Sequence, residues 1–208
     1  MKVKVLNTAG SETGKEVKLP KELFGVEPND HAIWLDVKQH LANKRQGTHS
    51  STEKGEIQGS TRKIKRQKGT GTARAGSIKS GVFVGGGRMH GPRPRYYGFK
   101  LNKKLKKVAR TSALSYKAKE KEIMVIDDIN IDSPRTKSYL EVLGNLKLEG
   151  KKTLLLVPEH NKNVYLSARN IPGAQVMVAG EANTYSILNA NNLILVENSI
   201  DKLKEILN

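Results

Sequence analysis

Clustered arginine and lysine side chains are the most chemically distinctive feature of this sequence. The segment RKIKRQKGTGTARAGSIKS, Arg62 to Ser80, carries seven of them and contains neither Asp nor Glu. Guanidinium and ammonium groups donate charge-assisted hydrogen bonds to phosphate oxygens, and the interspersed glycines let the backbone approach a nucleic-acid surface closely. The pattern predicts a polyanionic partner, with nucleic acid favoured and an anionic membrane surface as the alternative.

The positive charge is concentrated in one stretch of the chain. The formal net charge is +17, yet residues 57–119 hold 18 Lys and Arg, no acid, and ten of the 19 glycines. The rest of the chain carries 19 basic residues against all 20 acids and is therefore close to neutral. A solvated loop of such charge density would repel itself and bind cellular RNA. The distribution indicates a neutral folded body and a separate cationic segment.

The other motifs of the sequence do not indicate a catalytic site. KGTGTARAG has neither the G-x-G-x-x-G nor the G-x-x-x-x-G-K-[ST] spacing of a phosphate-binding loop. The chain has no cysteine and its five histidines form no close ligand pair with a carboxylate, so we expect no metal, no cofactor and no small-molecule substrate. Asp127 and Asp128 end a predicted strand, where α/β enzymes place catalytic groups, but helix capping or solvation is the favoured role. We expect a protein that is not an enzyme; a nucleotide-dependent or RNA-modifying enzyme is the competing hypothesis.

The elements that must position the cationic segment become regular after Glu122. Four short apolar runs alternate with helix-like segments: Ile123–Ile126, Leu154–Val157, Val176–Ala179 and Leu193–Val196. Continuous apolar strands between helices predict the α/β class, with a three-layer α/β/α body around a mostly parallel sheet of about four strands. The N-terminal KVKVL either adds an edge strand or lies over this body.

Residues that favour the start of a helix support the predicted α/β body. Ser133 is the predicted N-cap of a helix with Pro134 at its first position, and the segments NKNVYLSARN and NTYSILNA each open on an asparagine. An apolar stripe predicts an earlier helix, capped by Asn29 or Asp30, from Ile33, Trp34, Val37 and Leu41. A basic amphipathic helix follows Lys100, with its lysines opposite Leu101, Leu105, Val108, Leu114 and Ala118.

Between these last two helices lies an insertion, residues 46–97, here termed the arm; residues 1–45 and 98–208 form the predicted body. Apolar residues in the arm are scattered without helical or strand periodicity, and Gly and Pro recur. Such a stretch cannot bury enough apolar surface to offset its ordering entropy, so we expect it to take shape on its partner. Its few aromatic residues favour a structured RNA over a stacking platform for single strands. DNA is disfavoured, since no DNA-binding motif is visible.

No apolar signal sequence opens the chain, and no run approaches the roughly 18 apolar residues of a membrane span. We therefore expect a cytoplasmic protein without a membrane partner.

A series of motifs within and beside the arm occurs in the order seen in one known family. They are LANKRQGTH (Leu41–His49), RQKGTG (Arg66–Gly71), GGG (Gly85–Gly87), HGPRPRYY (His90–Tyr97), and KLNKK from Lys100 followed by ARTSALS. The chain resembles ribosomal protein four of the bacterial large subunit, from about Trp34 through the body. That resemblance implies an α/β domain on the outer face of the subunit and a loop threaded into its RNA early in assembly.

The resemblance also implies that the tip of the loop lines the nascent-peptide exit tunnel near the macrolide site. By position the tip falls around Gly59–Gln67, and the tunnel-lining residues are Arg62, Lys63, Ile64, Lys65 and Arg66. The implied partners are the large-subunit ribosomal RNA, neighbouring ribosomal proteins and the passing peptide. Some family members also repress their own operon; no residue pattern here supports that role. A free RNA-binding regulator outside any particle is a third hypothesis.

The residues assigned to RNA binding are the basic and small polar members of these motifs. They are Lys44, Arg45, Gln46, Arg62, Lys63, Lys65, Arg66, Gln67, Lys68, Gly69, Thr70, Gly71, Arg74, Lys79, Arg88, His90, Arg93, Arg95, Lys100, Asn102, Lys103 and Lys104. One departure concerns the tip, where the family commonly has Pro and Trp and this chain has Ile64 and Lys65. Any stacking that this Trp provides in the family is therefore not expected in this chain.

Overall fold

The computed structural model describes residues 1–207, which fall into two units. Met1–Leu41 and the chain from Lys100 onward form the first unit, and Ala42–Phe99 forms the second. The strands of the described residues are β1 (Lys2–Leu6), β2 (Glu12–Lys18), β3 (Ile123–Ile126), β4 (Thr153–Val157), β5 (Ala174–Val178) and β6 (Asn192–Val196). The helices are α1 (Lys21–Phe24), α2 (Asp30–Asn43), α3 (Lys103–Lys119), α4 (Thr136–Asn145), α5 (Lys162–Ala168), α6 (Thr184–Asn189) and α7 (Glu197–Leu207).

The strands of the first unit form one sheet in the order β2-β1-β3-β6-β4-β5. Neighbouring strands are parallel except for β1 and β2, which are antiparallel. The α/β class is confirmed, but the described chain has six strands rather than about four. KVKVL forms β1 inside the sheet, and β2 at its edge was not predicted. The sequence of β2, ETGKEVK, is charged and almost wholly exposed, so it lacks the apolar run used to recognise strands.

Alternating side chains of the central strands fill two separate cores. Leu154 and Leu156 of β4 face the core covered by α1, α3, α6 and α7, whereas Leu155 and Val157 face the core covered by α4 and α5. Because both faces of these strands are buried, every residue of β4 is apolar except Thr153. The predicted three-layer arrangement is confirmed.

Three of the predicted helix caps are confirmed by side-chain hydrogen bonds. Asn161 Oδ1 accepts from the backbone N–H groups of residues 163 and 164 at the start of α5, and Asn183 Oδ1 accepts from that of Ser186 in α6. Asn29, one of the two alternatives at α2, accepts from the N–H of Ala32. Each bond satisfies a backbone donor that the first turn of a helix leaves without an intrahelical partner.

The predicted start of α4 at Ser133 and Pro134 is wrong. The helix begins at Thr136, and Arg135 occupies the N-cap position without a side-chain bond to the backbone. The side-chain amide of Asn163 donates to the carbonyl oxygens of Ile131 and Asp132, each at 3.0 Å. These bonds from α5 hold the preceding segment outside the helix, and a local start signal carries no information about them.

The two helices next to the arm differ from their predicted apolar stripes. On α2, Trp34 and Leu41 are 55% and 47% exposed, and the buried residues are Ala32 and Gln39. Polar bonds hold this helix instead, since Asp36 Oδ2 accepts from Thr184 Oγ1 of α6 at 2.5 Å. On α3 the stripe is buried only in its C-terminal half, at Leu114 and Ala118, and Val108 is exposed.

Tyr139 of α4 is almost fully buried, and its hydroxyl group has no hydrogen-bond partner within the described residues. Burial raises the pKa of this phenol well above its ordinary value, because the phenolate would be desolvated. In the unfolded chain the same phenol ionises near pH 10. Above that pH the unfolded state releases a proton that the folded state retains, so stability falls as the pH rises.

We expect Tyr139→Phe to be as stable as the wild type, or slightly more stable, at pH 8. Between pH 8 and pH 11 the wild type should lose about 1 kcal/mol more unfolding free energy than the variant. Urea denaturation followed by far-UV circular dichroism measures both values. Tyr165→Phe, which alters an exposed tyrosine, is the matched control and should keep the wild-type pH profile. Parallel profiles for the wild type and Tyr139→Phe would contradict the expectation.

Candidate nucleic-acid interface

The arm consists of two limbs that run in opposite directions. Residues 44–102 contain neither helix nor strand, yet hydrogen bonds join the limbs at several levels. They link Arg95 N to Gly47 O, Ser51 N to Pro92 O, Arg88 N to Thr52 O, Ser77 Oγ to Ser60 O, and Ile64 N to Gly76 O, at 2.9–3.1 Å. Pro92 and Pro94 lack backbone donors, which prevents a continuous ladder on the returning limb.

The chain reverses direction between Ile64 and Gly76. Lys65 Nζ donates to Thr72 Oγ1 at 2.9 Å across the reversal, and Lys63 Nζ donates to Gln67 Oε1 within it. Gly69 and Gly71 have φ values of +81° and +62°, a conformation that favours glycine. The predicted tip, Gly59–Gln67, therefore comprises the end of the outgoing limb and the start of the reversal.

Tyr97 organises the start and end of the arm. The guanidinium carbons of Arg45 and Arg95 lie 3.8 and 4.4 Å from the centroid of its ring. Gly47 has φ +67°, and a Cβ atom there would lie 2.0 Å from Arg95 O and 3.0 Å from the Tyr97 ring. Two guanidinium groups are thus held on one aromatic ring, where cation–π attraction offsets part of their mutual repulsion.

Glu53 joins the two limbs of the arm, a role that the sequence pattern did not predict. Its Oε1 accepts hydrogen bonds from Nε of Arg93, at 2.7 Å, and from Nη2, so the pair joins the two limbs. This carboxylate raises the pKa of Arg93 through the hydrogen bonds first and through its charge second. The feature of the sequence that could have identified Glu53 is its position, because Glu53 and Glu56 are the last acids before the acid-free stretch.

The arm has no apolar core of its own. Among residues 46–97 only Gly87 is buried, and Val82, Val84, Met89 and Tyr96 are all exposed. Hydrogen bonds between exposed groups contribute little net stability, because water competes for the same donors and acceptors. The conformation of the arm therefore needs interactions beyond those that the arm makes with itself.

A second cluster of cations lies in the first unit, at the start of α3. Lys103, Lys104, Lys106 and Lys107 occupy its first turns, which contain no acid, and the N-cap residue Asn102 makes no side-chain cap bond. Cations at this end of a helix are unfavourable, because the backbone N–H groups already concentrate positive charge there. An anionic partner would remove this penalty.

The predicted RNA-binding residues occupy both units. Lys44–Gln46 begin the outgoing limb, and Arg62 and Lys63 lie at its end. The residues from Lys65 to Arg74 lie in the reversal, and those from Lys79 to Arg95 belong to the returning limb. Lys100 and Asn102–Lys104 belong to the first unit, at or just before α3. Both units thus carry predicted RNA-binding residues, and most of these residues belong to the second unit.

The carboxyl end of the sheet offers a weaker alternative site. A cavity of about 400 Å³ there is lined by residues including Asp128 and His160. Asp128 Oδ1 accepts from the N–H of Ile129, and Asp127 pairs with Lys15 at 3.5 Å. These carboxylates thus serve local structure, and no group of three or more His, Asp and Glu in the described chain could hold a metal ion. Nor does any helix among residues 1–207 combine the length and hydropathy needed to cross a membrane.

A covered α/β sheet in one unit and a cation-rich insertion in the other are typical of a nucleic-acid-binding protein. Residues 17–206 match the Ribosomal protein L4/L1 family, and the chain belongs to that family.

Relatives named large ribosomal subunit protein uL4 align along nearly the whole chain. The one from Christiangramia forsetii is 57% identical, over 98% of both chains. Those from Flavobacterium johnsoniae and Phocaeicola vulgatus are each 56% identical, over 99% and 100% of this chain and 98% and 100% of their own. The resemblance drawn from the arm motifs is thereby confirmed.

If the cations at the reversal contact phosphates, removing them should change the salt dependence of RNA binding. We expect the double variant Arg62→Gln, Arg66→Gln to reduce the slope of log K against log salt by roughly 1.5, since each phosphate contact contributes about 0.7–0.9. Filter binding to a large-subunit RNA transcript at several salt concentrations measures it. Lys137→Gln with Lys151→Gln, which alters exposed lysines of the first unit, is the control. Equal slopes for both double variants would contradict the assignment.

Proposed function

We propose that this chain is a structural component of the large ribosomal subunit that binds its RNA through the arm. The observation that carries the proposal is the composition of the second unit, Ala42–Phe99, which contains the arm: it has 13 basic residues, two acids and no buried side chain. Such a segment gains its stability from a polyanion that fills the space between its charges. The full-length similarity to relatives named large ribosomal subunit protein uL4 supports RNA of that particle as the polyanion.

The arm's geometry also supports a structured RNA over an extended single strand. Its aromatic rings are few, and Tyr97 is already engaged by Arg45 and Arg95. Two narrow limbs bearing cations on both sides suit a crevice whose walls are phosphate backbones. Entry into such a crevice is easiest before the surrounding RNA closes, so we infer binding early in assembly.

A catalytic role and a free regulatory role are weaker candidates. Asp127 and Asp128 at the carboxyl end of the sheet are engaged in local contacts. Autogenous repression would use the same cations, but no observation favours it over a place in the particle. We infer a structural role, in the ribosome and among neighbouring ribosomal proteins.

Removal of most of the arm tests this function. The deletion of residues 55–91 keeps the Gly47–Arg95 and Ser51–Pro92 bonds at the arm's start. We expect the full chain to co-sediment with large subunits in high salt and the deletion variant to remain at the top of the gradient. Weak electrostatic association would not survive, since 6–10 phosphate contacts lose about 10³–10⁵ in affinity between 50 and 200 mM salt.

Circular dichroism should show the first unit of the deletion variant folded, because its two cores contain no residue from 55–91. Sedimentation of the folded variant at the wild-type level would rule out the arm as the anchor. Release of the full chain itself by high salt would rule out a structural component.

We further propose, from the family resemblance, that Arg62–Arg66 line the peptide exit tunnel near the macrolide site. These five side chains are exposed, and four of them are cationic, so a passing peptide would meet a basic collar. Lys63→Glu reverses one charge of that collar. We expect it to change the minimal inhibitory concentration of a macrolide in cells with no other copy of the gene, and Lys151→Glu to leave it unchanged. The same concentration for Lys63→Glu and the wild type would contradict the tunnel assignment.

A further inference from the structure

The end of the arm contains an open groove of about 670 Å³, here termed the tip groove. Its lining includes Ile64 on the outgoing limb and Ile78 on the returning limb, with Arg62, Lys63 and Arg66 beside them. Clefts of roughly 300–1,000 Å³ hold small organic groups. The tip groove therefore has room for one such group between the limbs.

The two isoleucines give the groove an apolar lining. Ile64 is 45% exposed and Ile78 is 56% exposed, although the limbs that carry them are joined nearby. Ile64 N donates to Gly76 O, and Ser77 Oγ donates to Ser60 O, both at 3.0 Å. These bonds hold the lining open in a segment that is otherwise strongly hydrophilic. Apolar side chains kept in contact with water are a cost that a flat, apolar group in the groove would remove.

The backbone beside the lining includes a glycine with a positive φ. Gly59 has φ +148°, and a Cβ atom at this position would lie 3.8 Å from Ile78 Cγ2. A side chain at residue 59 would thus be strained by its backbone conformation, whereas its distance to the lining would be an ordinary van der Waals contact.

The rim of the groove is cationic and uncompensated. Four cations line the rim: Arg62, Lys63, Lys65 and Arg66. The two lysines donate to the neutral acceptors Gln67 and Thr72, and none of the four cations forms an ion pair within residues 1–207. The side-chain amide and hydroxyl acceptors orient the ammonium groups without neutralising them. The rim thus presents positive charge around an apolar floor.

We propose that the tip groove holds one unpaired nucleotide of the ribosomal RNA, an inference that rests on the proposed function. The base lies against Ile64 and Ile78, and the phosphates on either side of it contact Arg62, Arg66 and the neighbouring lysines. A nucleotide is the group that combines a flat apolar face with anions at both ends. A paired base cannot reach the lining, because it is stacked in its helix, so the groove selects a bulged or looped-out nucleotide.

The binding of short RNA hairpins to the full chain tests this inference. The probes are a hairpin with a single bulged nucleotide, the same hairpin with an abasic bulge, and the fully paired hairpin, all measured by fluorescence anisotropy at one salt concentration. We expect the wild type to bind the bulged probe roughly tenfold more tightly than the other two, as burial of a base against two isoleucines implies.

The double variant Ile64→Ser, Ile78→Ser removes the lining and keeps every charge. We expect it to bind all three probes equally, at the wild-type affinity for the paired hairpin. The matched control is Val82→Ser with Val84→Ser, which alters two exposed apolar residues of the arm outside the groove, and it should retain the preference for the bulge.

The results with the three probes distinguish a nucleotide site in the tip groove from general RNA binding by the arm. Equal binding of the three probes by the wild type would rule out a nucleotide site in the tip groove. It would leave the proposed function intact, since charge alone would then explain RNA binding. An undiminished preference for the bulge in the Ile64→Ser, Ile78→Ser variant would rule out that site as well. If a labelled apolar peptide, rather than the bulged probe, distinguished wild type from variant, the groove would be a peptide site and the inference would be wrong.

Discussion

Uncompensated positive charge is the constraint on which the rest of this molecule depends. Between Ala42 and Phe99 there are 13 basic residues and two acids, and both acids are used locally, Glu53 by Arg93 and Glu56 by the N–H of Glu53. The remaining cations repel one another across two limbs that have no buried side chains to hold them together. A partner with a high density of negative charge would offset this repulsion, and the partner proposed above is ribosomal RNA.

The first unit has the buried apolar cores and the balanced charge that the arm lacks. Its sheet is covered on both faces, its central strands are mostly buried, and its charges are nearly balanced outside α3. The carboxyl end of the sheet, where many α/β proteins bind ligands, is occupied by contacts that serve the fold, such as the Asn161 cap and the Asp128 bond to Ile129. The proposed function therefore lies on the insertion rather than at the sheet edge.

The end of the arm shows how a small change of residue type can change the kind of contact. The family commonly has Pro and Trp where this chain has Ile64 and Lys65. With Ile64 opposite Ile78, the apolar surface is shared between two limbs, and Lys65 adds a cation to the rim. The proposed nucleotide site follows from this combination, because neither isoleucine alone would form a lining.

The sequence by itself determined the features that depend on local pattern and composition. The continuous apolar runs at β3, β4 and β6, the asparagine caps of α5 and α6, and the confinement of charge to one stretch all follow from residue types and their order. The family was recognisable for the same reason, since motifs such as RQKGTG and HGPRPRYY lie in the arm and not in the strands.

Only the tertiary structure decided the features that depend on residues far apart in the chain. Asn163 bonds to the carbonyl groups of Ile131 and Asp132, which lie outside α4. β2 joins the sheet by backbone pairing with β1 and by ion pairs of Glu12 and Glu16 with the lysines of β1. On α2, Asp36 bonds to Thr184 of α6 and Trp34 is exposed. The pairing of Glu53 with Arg93 and the meeting of Ile64 with Ile78 likewise need the two limbs to be side by side. The physical reason is that a hydrogen bond or an apolar contact is set by distance in space, whereas a sequence pattern reports only distance along the chain.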